Sequence, residues 1–382
     1  MVKKRVGLVH HSILSHRGGG DLTCAWILEA LKDDYDLTYI TWGTPIDLKE
    51  VDDFYGTHLA ASGMKVKLIP SLTALKFENR PFRLIIALIE RYMKSHKDDY
   101  DIPFSTYNEI DFGKRGIQFV QGPSRSDKGA SFYLPDYKPS ALRSLYHKFC
   151  YWYSGFTFAN ITRNMTLVNS EWGTKVYKDT FGDFSTTVTY LPVVLKVKPI
   201  PWEQREDAFL CVGDILPVKR TVESIEVVRR LRKMGHKVKL RIVGDGNNPY
   251  AELTKAEARK YPEFVTLEGR LNREKISELI SRTKYGLHMR DYEGFGIAIA
   301  ELAYAGCLIF APGQGGGQVE VLNRDPNLLY NGIDDAVAKI DRILKDSALR
   351  EKVRQEMTDY AQRFSAESFV SRIKEAVNSF NA

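Results

Sequence analysis

The chain has 382 residues, and at about 150 residues per domain this length predicts two domains with ample interior for a core. Hydrophobic residues make up 43% and charged residues 27% of the chain, which excludes a disordered protein and a coiled coil. The net charge of +7 favours an anionic partner, either a phosphorylated substrate or an anionic membrane surface. Nucleic acid is disfavoured, because the basic residues are dispersed and no nucleic-acid-binding signature is present.

The first half of the chain alternates short β-rich segments with amphipathic stretches. The alternation predicts strands at residues 5–10, 37–41, 66–69, 116–121, 166–169 and 188–191. Helices are predicted at residues 21–31, 82–94, 140–153 and 171–181.

A proline-flanked stretch at residues 192–201 interrupts this pattern, and a second β/α series follows it. Apolar runs there predict buried parallel strands at residues 209–212, 240–243, 264–267, 285–288 and 308–311, separated by helices. The sequence therefore predicts an α/β protein with two doubly wound, Rossmann-like domains facing each other across a cleft, at residues 1–195 and 196–364. A last helix at residues 366–380 has no strand after it, which leaves open that it packs back on the first domain.

The longest uninterrupted aliphatic run, residues 84–89, is far shorter than the ~20 apolar residues of a membrane-spanning helix. The start of the chain lacks a signal-peptide core and cleavage site, so we expect a cytoplasmic protein. The four cysteines have neither metal-ligand nor redox spacing and are predicted to be buried: Cys24, Cys150, Cys211 and Cys307.

The strongest local signal is Glu293-Gly-Phe-Gly-Ile-Ala-Ile-Ala-Glu301, which follows a predicted strand and continues into a predicted helix. Helical rise separates the two carboxylates by at most ~12 Å, a span that suits one ligand with hydroxyl groups at both ends. Glu293 is expected in the turn before the helix, beside free backbone amides. The alternative is an N-terminal helix glutamate plus an exposed surface glutamate, but the apolar sequence between them disfavours a solvated face.

Glycine clusters follow three predicted strands. A glycine loop that leads into a helix lets backbone amides approach phosphate oxygens, although each cluster also fits a tight β–α turn. We interpret 244–246 as such a turn. The other two clusters are predicted to contact phosphate: Gly18, Gly19 and Gly20, and Gly315, Gly316 and Gly317.

Lys219 and Arg220 follow a strand end and could neutralise a departing diphosphate, or they could be solvated residues at a helix start. His10, His11 and His16 follow the first strand, and Gln121 ends another. His10, His16 and Gln121 are candidates for the acceptor side. Two D-x-D pairs, at 34–36 and 99–101, lie at the sheet edge opposite an α/β ligand site, so no metal ligands are predicted.

These motifs together resemble the retaining GT-B glycosyltransferases that carry an E-x7-E motif, known as glycosyltransferase family four. The resemblance rests on VGDG at 243–246, LEGRL at 267–271, EGFGIAIAELAYAG at 293–306 and GGQVEVL at 316–322, with NSEWGTKVYKDTFG and LPV in 169–193. Within that family the chain is most similar to the dolichol-linked α-1,2-mannosyltransferase type. That narrower match rests on the triple glycine at Gly18, Pro217-Val-Lys219 and Gly286-Leu-His288.

The resemblance implies a nucleotide-diphosphate-sugar donor, GDP-mannose or a UDP-sugar, and retaining, metal-independent transfer without a bound cofactor. It implies that Glu293 contacts the hydroxyls of the donor sugar and Glu301 the ribose, and that Lys219, with Arg220, holds the diphosphate. The amides of Gly316 and Gly317 and the Gly18–Gly20 loop are implied at the same diphosphate. Gly294, Phe295 and Gly296 belong to the same donor-binding segment.

The chain departs from its relatives at two positions. Asp214, Ile215 and Leu216 stand where relatives commonly have an arginine before the phosphate lysine, and Gln121 stands where similar mannosyltransferases have a histidine. The sequence also predicts no membrane span of the kind found in eukaryotic relatives. The segment 142–158 mixes Arg143, His147 and Lys148 with seven aromatic residues, which fits either peripheral contact with an anionic membrane or a buried helix.

The implied acceptor is a glycan or lipid-linked sugar. The competing hypothesis is a non-catalytic nucleotide-sugar-binding or partner protein with the same fold. The presence of both glutamates, Lys219 and the glycine loops argues against it, because a binding protein needs fewer of these residues. A nicotinamide-dependent enzyme is excluded, because no G-x-G-x-x-G follows the first strand.

Overall fold

The computed structural model describes residues 2–14, 18–42, 46–69, 82–126, 140–182 and 184–381. The chain forms two compact units, of which unit 1 comprises residues 1–192 with 366–382 and unit 2 comprises residues 193–365. Each unit is built around one parallel sheet.

The described part of unit 1 forms a seven-stranded parallel sheet in the order β3-β2-β1-β4-β5-β6-β7. Its strands are β1 Arg5–Val9, β2 Asp36–Thr41, β3 Lys65–Leu68, β4 Ile102–Ser105, β5 Ile117–Val120, β6 Met165–Val168 and β7 Thr187–Val188. The central strand β1 pairs Val6 with Leu37 of β2 and with Ile102 of β4. Because β1 is covered on both faces, Val6, Leu8 and Val9 are fully buried.

The helices of unit 1 are α1 Gly19–Leu31, α2 Leu48–Tyr55, α3 Phe82–Ser95, α4 Ala141–Ser154, α5 Phe158–Arg163, α6 Glu171–Phe181 and α14 Ala366–Asn381. Helix α14 follows unit 2 in the chain and packs against α1. Asp34, just after α1, forms an ion pair with Lys374 of α14, with Nζ 2.8 Å from Oδ2. Side-chain caps define several helix starts: the Ser170 hydroxyl, for example, accepts a 2.9 Å hydrogen bond from the Gly173 amide.

The described part of unit 2 forms a six-stranded parallel sheet in the order β10-β9-β8-β11-β12-β13. Its strands are β8 Glu206–Val212, β9 Lys239–Val243, β10 Val265–Gly269, β11 Thr283–Leu287, β12 Leu308–Pro312 and β13 Leu329–Tyr330. Its helices are α7 Thr221–Lys233, α8 Pro249–Ala258, α9 Arg273–Arg282, α10 Ile297–Tyr304, α11 Gln318–Val321, α12 Gly332–Lys345 and α13 Ser347–Ala361. Phe209 of β8 stacks on Tyr285 of β11 in the core, with ring centroids 5.1 Å apart.

The predicted α/β architecture is confirmed, and the predicted strands of both halves are present with small shifts of their ends. One predicted strand is shortened, because pairing at 188–191 stops at Val188. Strands β4 and β13 and helices α2 and α5 are absent from the prediction. Of the four cysteines, which are all free thiols, Cys211 is only partly buried. Among the described residues, no helix combines the length and the apolar character needed to cross a bilayer.

Candidate active site

In unit 2, the strand order reverses between the parallel neighbours β8 and β11: β9 and β10 lie on one side of this point, and β12 and β13 lie on the other. Ligands of open α/β sheets bind in the crevice at the carboxyl ends of the strands on either side of such a reversal. A small cavity lies there, and Gly213, Lys219, Leu287 and His288 are among the residues that line it. The strand order therefore places the candidate donor site in unit 2 at this crevice.

Lys219 and Glu293 meet directly at this edge, where the lysine ammonium forms an ion pair with Glu293 Oε1. His288 Nε2 lies 3.4 Å from the same oxygen, and Arg290 Nη1 lies 3.5 Å from Oε2. Burial raises the pKa of the Glu293 carboxyl, but the close imidazole of His288 and the charges of Lys219 and Arg290 outweigh it. The net effect lowers the pKa of Glu293 well below its usual value, so the site holds a carboxylate at neutral pH.

The start of α11 and the glycine before it hold the backbone around Glu293. Gln318 is fully buried, and its Oε1 accepts a 3.1 Å hydrogen bond from the Glu293 amide. The Gly317 amide donates a 2.7 Å hydrogen bond to the Glu293 carbonyl. A Cβ atom at Gly317 would collide with the carbonyl of Gly294, so this close approach requires glycine.

The last observation changes the interpretation of the 315–317 cluster. The Gly317 amide, predicted at the diphosphate, is already committed to the Glu293 carbonyl, and Gly316 adopts a left-handed φ of +85° beside Gln318. The glycines bring this loop against residues 293–295. Gly244, which we interpreted as part of a tight turn, has a φ of +141° and leaves no room for a Cβ beside the Gly213 carbonyl.

The two remaining charged candidates of unit 2 both have protein partners. Arg220, in the left-handed conformation at φ +52°, donates to Glu223 at 2.8 Å and to Asp291 at 2.8 Å. Glu301 lies on α10 with only 1% of its surface exposed, and it forms an ion pair with Arg273. Glu301 is therefore a buried, paired carboxylate and not a solvated surface residue.

The segment between the two glutamates explains why Glu301 is buried. Helix α10 begins after Gly296, whose φ of +91° forms the left-handed N-cap, and Phe295 is buried to 2% against Phe364 at 5.4 Å between centroids. Glu293 and Gly294 precede the helix in the loop, as predicted from the sequence pattern.

In unit 1 the corresponding reversal of strand order falls between the parallel strands β1 and β4. His10 directly follows β1 and is 2% exposed, with Nε2 3.3 Å from Asp21 Oδ1 and Nδ1 2.9 Å from Thr106 Oγ1. Burial lowers the pKa of His10 to about 4. Its ring lies beside that of His11, with centroids 3.9 Å apart, and the His11 side chain keeps 16% exposure.

The Gly18–Gly20 loop caps α1 in unit 1 and approaches Gln121. A Cβ at Gly20 would lie 2.8 Å from Gln121 Nε2, while nothing stands within 4 Å of a Cβ at Gly18. Gly19 starts the helix. Of the acceptor-side candidates, Gln121 therefore lies beside Gly20, and His10 lies at the end of β1. His16 lies outside the described residues.

The sequence did not identify five residues of these sites as site residues: His288, Arg290, Gln318, Arg273 and Asp21. The position of His288 directly after an apolar strand was a usable signal, because it places the side chain at the ligand-binding edge. Arg273 and Gln318 gave no local signal, since their partners lie 28 and 25 residues away in the chain.

Comparison with known proteins defines the class. Residues 196–364 match the family described as glycosyl transferases group 1. The structure resembles Anabaena HepE in complex with UDP and glucose, with a TM-score of 0.69 at 13% identity over 98% of this chain and 100% of that one. It also resembles sucrose-phosphate synthase from Thermosynechococcus elongatus, with a TM-score of 0.69 at 14% identity over 99% of both chains. The fold is that of the GT-B glycosyltransferases.

Among curated proteins, the chain is similar to the Xenopus laevis GDP-Man:Man(3)GlcNAc(2)-PP-Dol alpha-1,2-mannosyltransferase, with 26% identity over 181 residues. The match covers 44% of this chain and 37% of that relative, so it spans well under half of the relative's length. The residues that match the glycosyl transferases group 1 family, 196–364, lie within unit 2, residues 193–365.

Proposed function

We propose that the protein is a retaining glycosyltransferase that moves a hexose, with mannose as the first candidate, from a nucleotide-diphosphate sugar to a glycan or lipid-linked acceptor. The observation that carries the proposal is the Lys219–Glu293 ion pair at the ligand-binding edge of a glycosyl transferases group 1 domain. Here a cation suited to a diphosphate touches a carboxylate suited to sugar hydroxyls.

Lys219 supplies the charge that the leaving diphosphate needs. Its side chain is 24% exposed and its ammonium pairs with Glu293, so an entering diphosphate can share or replace that partner. Fixed positive charge at the position where negative charge develops lowers the barrier of group transfer. Arg220 is proposed to contact the diphosphate as well, by exchanging one of its two carboxylate partners, Glu223 and Asp291. With two cations in place, transfer at this diphosphate is proposed to proceed without a metal ion.

Glu293 is the proposed ligand of the donor sugar. The backbone contacts from Gln318 and Gly317 fix its position, and the neighbouring cations keep it ionised. An ionised carboxylate accepts hydrogen bonds from two adjacent hydroxyls, which is the contact expected from a sugar-binding group. Glu301 is proposed to hold the ribose, and because only 1% of its surface is exposed, this contact requires its ion pair with Arg273 to open.

The donor base is the least constrained part of the proposal. GDP-mannose is the first candidate because the curated relative is named for it, and a UDP-sugar is the second because HepE is in complex with UDP and glucose. The acceptor is proposed to bind to unit 1, near His10 and Gln121.

The decisive experiment combines donor binding with turnover. GDP, UDP and ADP are titrated against the protein with and without EDTA, and release of nucleoside diphosphate from GDP-mannose and from UDP-glucose is followed. We expect one nucleotide to bind and its sugar conjugate to be consumed, insensitive to EDTA. Glu293→Gln is expected to lower turnover at least about tenfold while the protein stays folded. Full turnover in this variant and in Lys219→Ala would refute the site.

The same experiment separates the competing function, a non-catalytic nucleotide-sugar-binding protein. Such a protein would bind a sugar nucleotide and release no nucleoside diphosphate, either alone or with a panel of glycan acceptors. Binding without turnover under all these conditions would favour it over transfer.

We also propose that helix α4 contacts an anionic membrane surface. Four of its apolar side chains recur at helical spacing and are exposed, namely Leu142 at 79%, Leu145 at 66%, Phe149 at 51% and Trp152 at 77%. This stripe, flanked by the exposed cations Arg143 and Lys148, has the composition of a helix that lies in a membrane interface.

Vesicle sedimentation tests this contact. The protein is expected to sediment with vesicles that contain 30% phosphatidylglycerol and to remain in solution with pure phosphatidylcholine, because the flanking cations need anionic headgroups. Trp152→Glu places a charge in the centre of the apolar stripe and is expected to abolish sedimentation. Val66→Glu, at another exposed apolar position of unit 1, is the matched control. Equal sedimentation of both variants would refute the assignment to α4.

A further inference from the structure

Three potential metal ligands converge in unit 1 at the carboxyl end of β1. His10 and His11 leave the strand together, and Asp21 stands in the first turn of α1. One ligand atom from each of these residues lies within 4.8 Å of the others. Among the described residues, this is the one group of three or more histidine, cysteine or acidic side chains with that spacing.

The distances inside the cluster are close to those of a metal site. Asp21 Oδ1 lies 3.3 Å from His10 Nε2 and 2.6 Å from His11 Nε2. Ligand atoms about 2.0–2.1 Å from a tetrahedral zinc ion stand roughly 3.4 Å apart. The separation between His10 and Asp21 is already close to this value. A shift of less than about 1 Å of the more exposed His11 ring would bring the separation between His11 and Asp21 to the same value.

The surroundings orient the ligands in advance. Thr106, which follows the neighbouring strand β4, holds the other ring nitrogen of His10 at 2.9 Å. Such a contact to the second ring nitrogen is typical of metal-bound histidine, because it fixes the ring and its tautomer. Tyr107 and Trp42 enclose His11, with ring centroids at 5.4 and 6.5 Å. His10 and Asp21 are each 2% exposed, whereas His11 borders solvent at 16%.

Outside the donor site, where His288 lies beside Glu293, two other histidine–carboxylate contacts of the described residues differ from this cluster. His236 Nε2 lies 2.7 Å from Asp341 Oδ1, and its side chain is 16% exposed like that of His11, yet no third ligand atom joins this pair. His58 lies 3.3 Å from Glu29 with 78% of its side chain exposed. These pairs are ordinary ion pairs, and His236 provides a control matched in exposure to His11.

We propose that His10, His11 and Asp21 form a binding site for one divalent transition-metal ion, with Zn²⁺ as the best match to two imidazoles and one carboxylate. Three protein ligands leave a fourth position on the His11 side for an oxygen ligand such as water, a hydroxyl or a phosphate. This site lies in unit 1 and uses none of the donor residues of unit 2. The proposal therefore goes beyond the proposed function and does not depend on it.

Metal titration of the untagged 382-residue protein tests the site. The protein is stripped with EDTA, transferred to metal-free buffer at pH 7.5 and titrated with Zn²⁺ in competition with a chromophoric chelator. Co²⁺ is added to a second sample, and its visible absorption reports the ligand field. We expect one equivalent of either ion to bind, with submicromolar affinity for Zn²⁺.

Three variants assign the binding to these residues. His11→Ala and Asp21→Asn are each expected to weaken Zn²⁺ binding at least about tenfold and to change the Co²⁺ spectrum. His236→Ala is expected to match the wild type in both measurements. Circular dichroism verifies that each variant is folded, and the partly exposed position of His11 makes its variant the more tolerant of the two.

Two outcomes would overturn the proposal. Uptake of clearly less than one equivalent by the wild type means that the three side chains form only a hydrogen-bonded cluster. Unchanged affinity in His11→Ala places any bound metal elsewhere. Nucleotide binding, measured in the same samples, distinguishes these failures from a failure of the donor site, because it depends on Lys219 and Glu293 and not on the cluster.

Discussion

The Lys219→Met substitution tests the donor site most directly, because it removes the ammonium and keeps most of the apolar side chain. Two unit charges at 4 Å interact by about 4 kcal/mol at an effective dielectric constant of 20. In the free protein this charge already pairs with Glu293, so part of that energy is spent in exchanging partners. We therefore expect a net loss of about 2 kcal/mol, which corresponds to roughly 30-fold weaker binding of the nucleoside diphosphate.

The effect on folding is expected to be smaller. The pair is only partly buried, with 24% and 13% side-chain exposure, and His288 and Arg290 remain beside Glu293 after the substitution. Loss of one partner is therefore expected to cost about 1 kcal/mol, well below the 3–5 kcal/mol of a fully buried pair. This corresponds to a decrease of about 2–4 °C in the melting temperature of a unit of this size.

Isothermal titration with GDP and UDP measures the affinity, and differential scanning calorimetry measures the stability. Lys284→Met is the matched control, because Lys284 also pairs with a carboxylate of unit 2, Asp207 at 2.9 Å, but at the start of β11. The control is expected to bind nucleotide as the wild type does. Affinity of Lys219→Met within threefold of the wild type would refute the diphosphate role of this lysine.

Three further predictions concern stability. Glu293 faces Lys219, His288 and Arg290, and folding lowers its pKa. Its contribution to the free energy of unfolding is therefore fully present above its unfolded-state pKa and is lost as the pH falls through its folded-state pKa. Between pH 5 and pH 3 the wild type should therefore lose more unfolding free energy than Glu293→Gln, measured by urea titration; parallel curves would contradict this. Gly244→Ala should destabilise by more than about 2 kcal/mol through its collision with the Gly213 carbonyl, whereas Gly235→Ala, with a left-handed φ of +98° and open space, should cost about 1 kcal/mol. Equal melting temperatures of these two variants would refute the packing argument. Glu90→Ala leaves Arg125, 2% exposed, as an uncompensated buried charge and should cost about 3–5 kcal/mol by urea unfolding; a loss under 1 kcal/mol would contradict it.

The prediction of elements from sequence succeeded where a local pattern was strong. Apolar runs bounded by turn residues located the buried strands of both halves, because a parallel strand covered on both faces must be apolar throughout. It failed for β4, a four-residue strand that contains Pro103, and for the two-residue strand β13. Such short segments are strands only through pairing with neighbours that are distant in the chain, as Phe104 pairs with Leu8.

The residues of the candidate sites also divide into those that a local sequence pattern indicates and those that only the folded chain brings together. Glu293, Lys219 and the glycine loops could be found from sequence because they belong to continuous motifs at strand ends. Their partners could not be found, since Lys219 and Glu293 are 74 residues apart and Gln318 contacts the Glu293 amide from helix α11, 25 residues further along the chain. The role of Gly317 also changed for this reason, because its amide has a partner that only the folded chain brings near.

The sequence by itself determined the α/β class, the ligand-binding edge of unit 2 and the resemblance to a glycosyltransferase family, since periodicity and continuous motifs are local properties of the chain. Only the tertiary structure decided which charges are neutralised and which groups are buried. It paired Glu301 with Arg273, buried His10 and brought His11 and Asp21 together across the first loop. These outcomes depend on the strand order of each sheet, which sets distances between residues far apart in sequence and which no local pattern encodes.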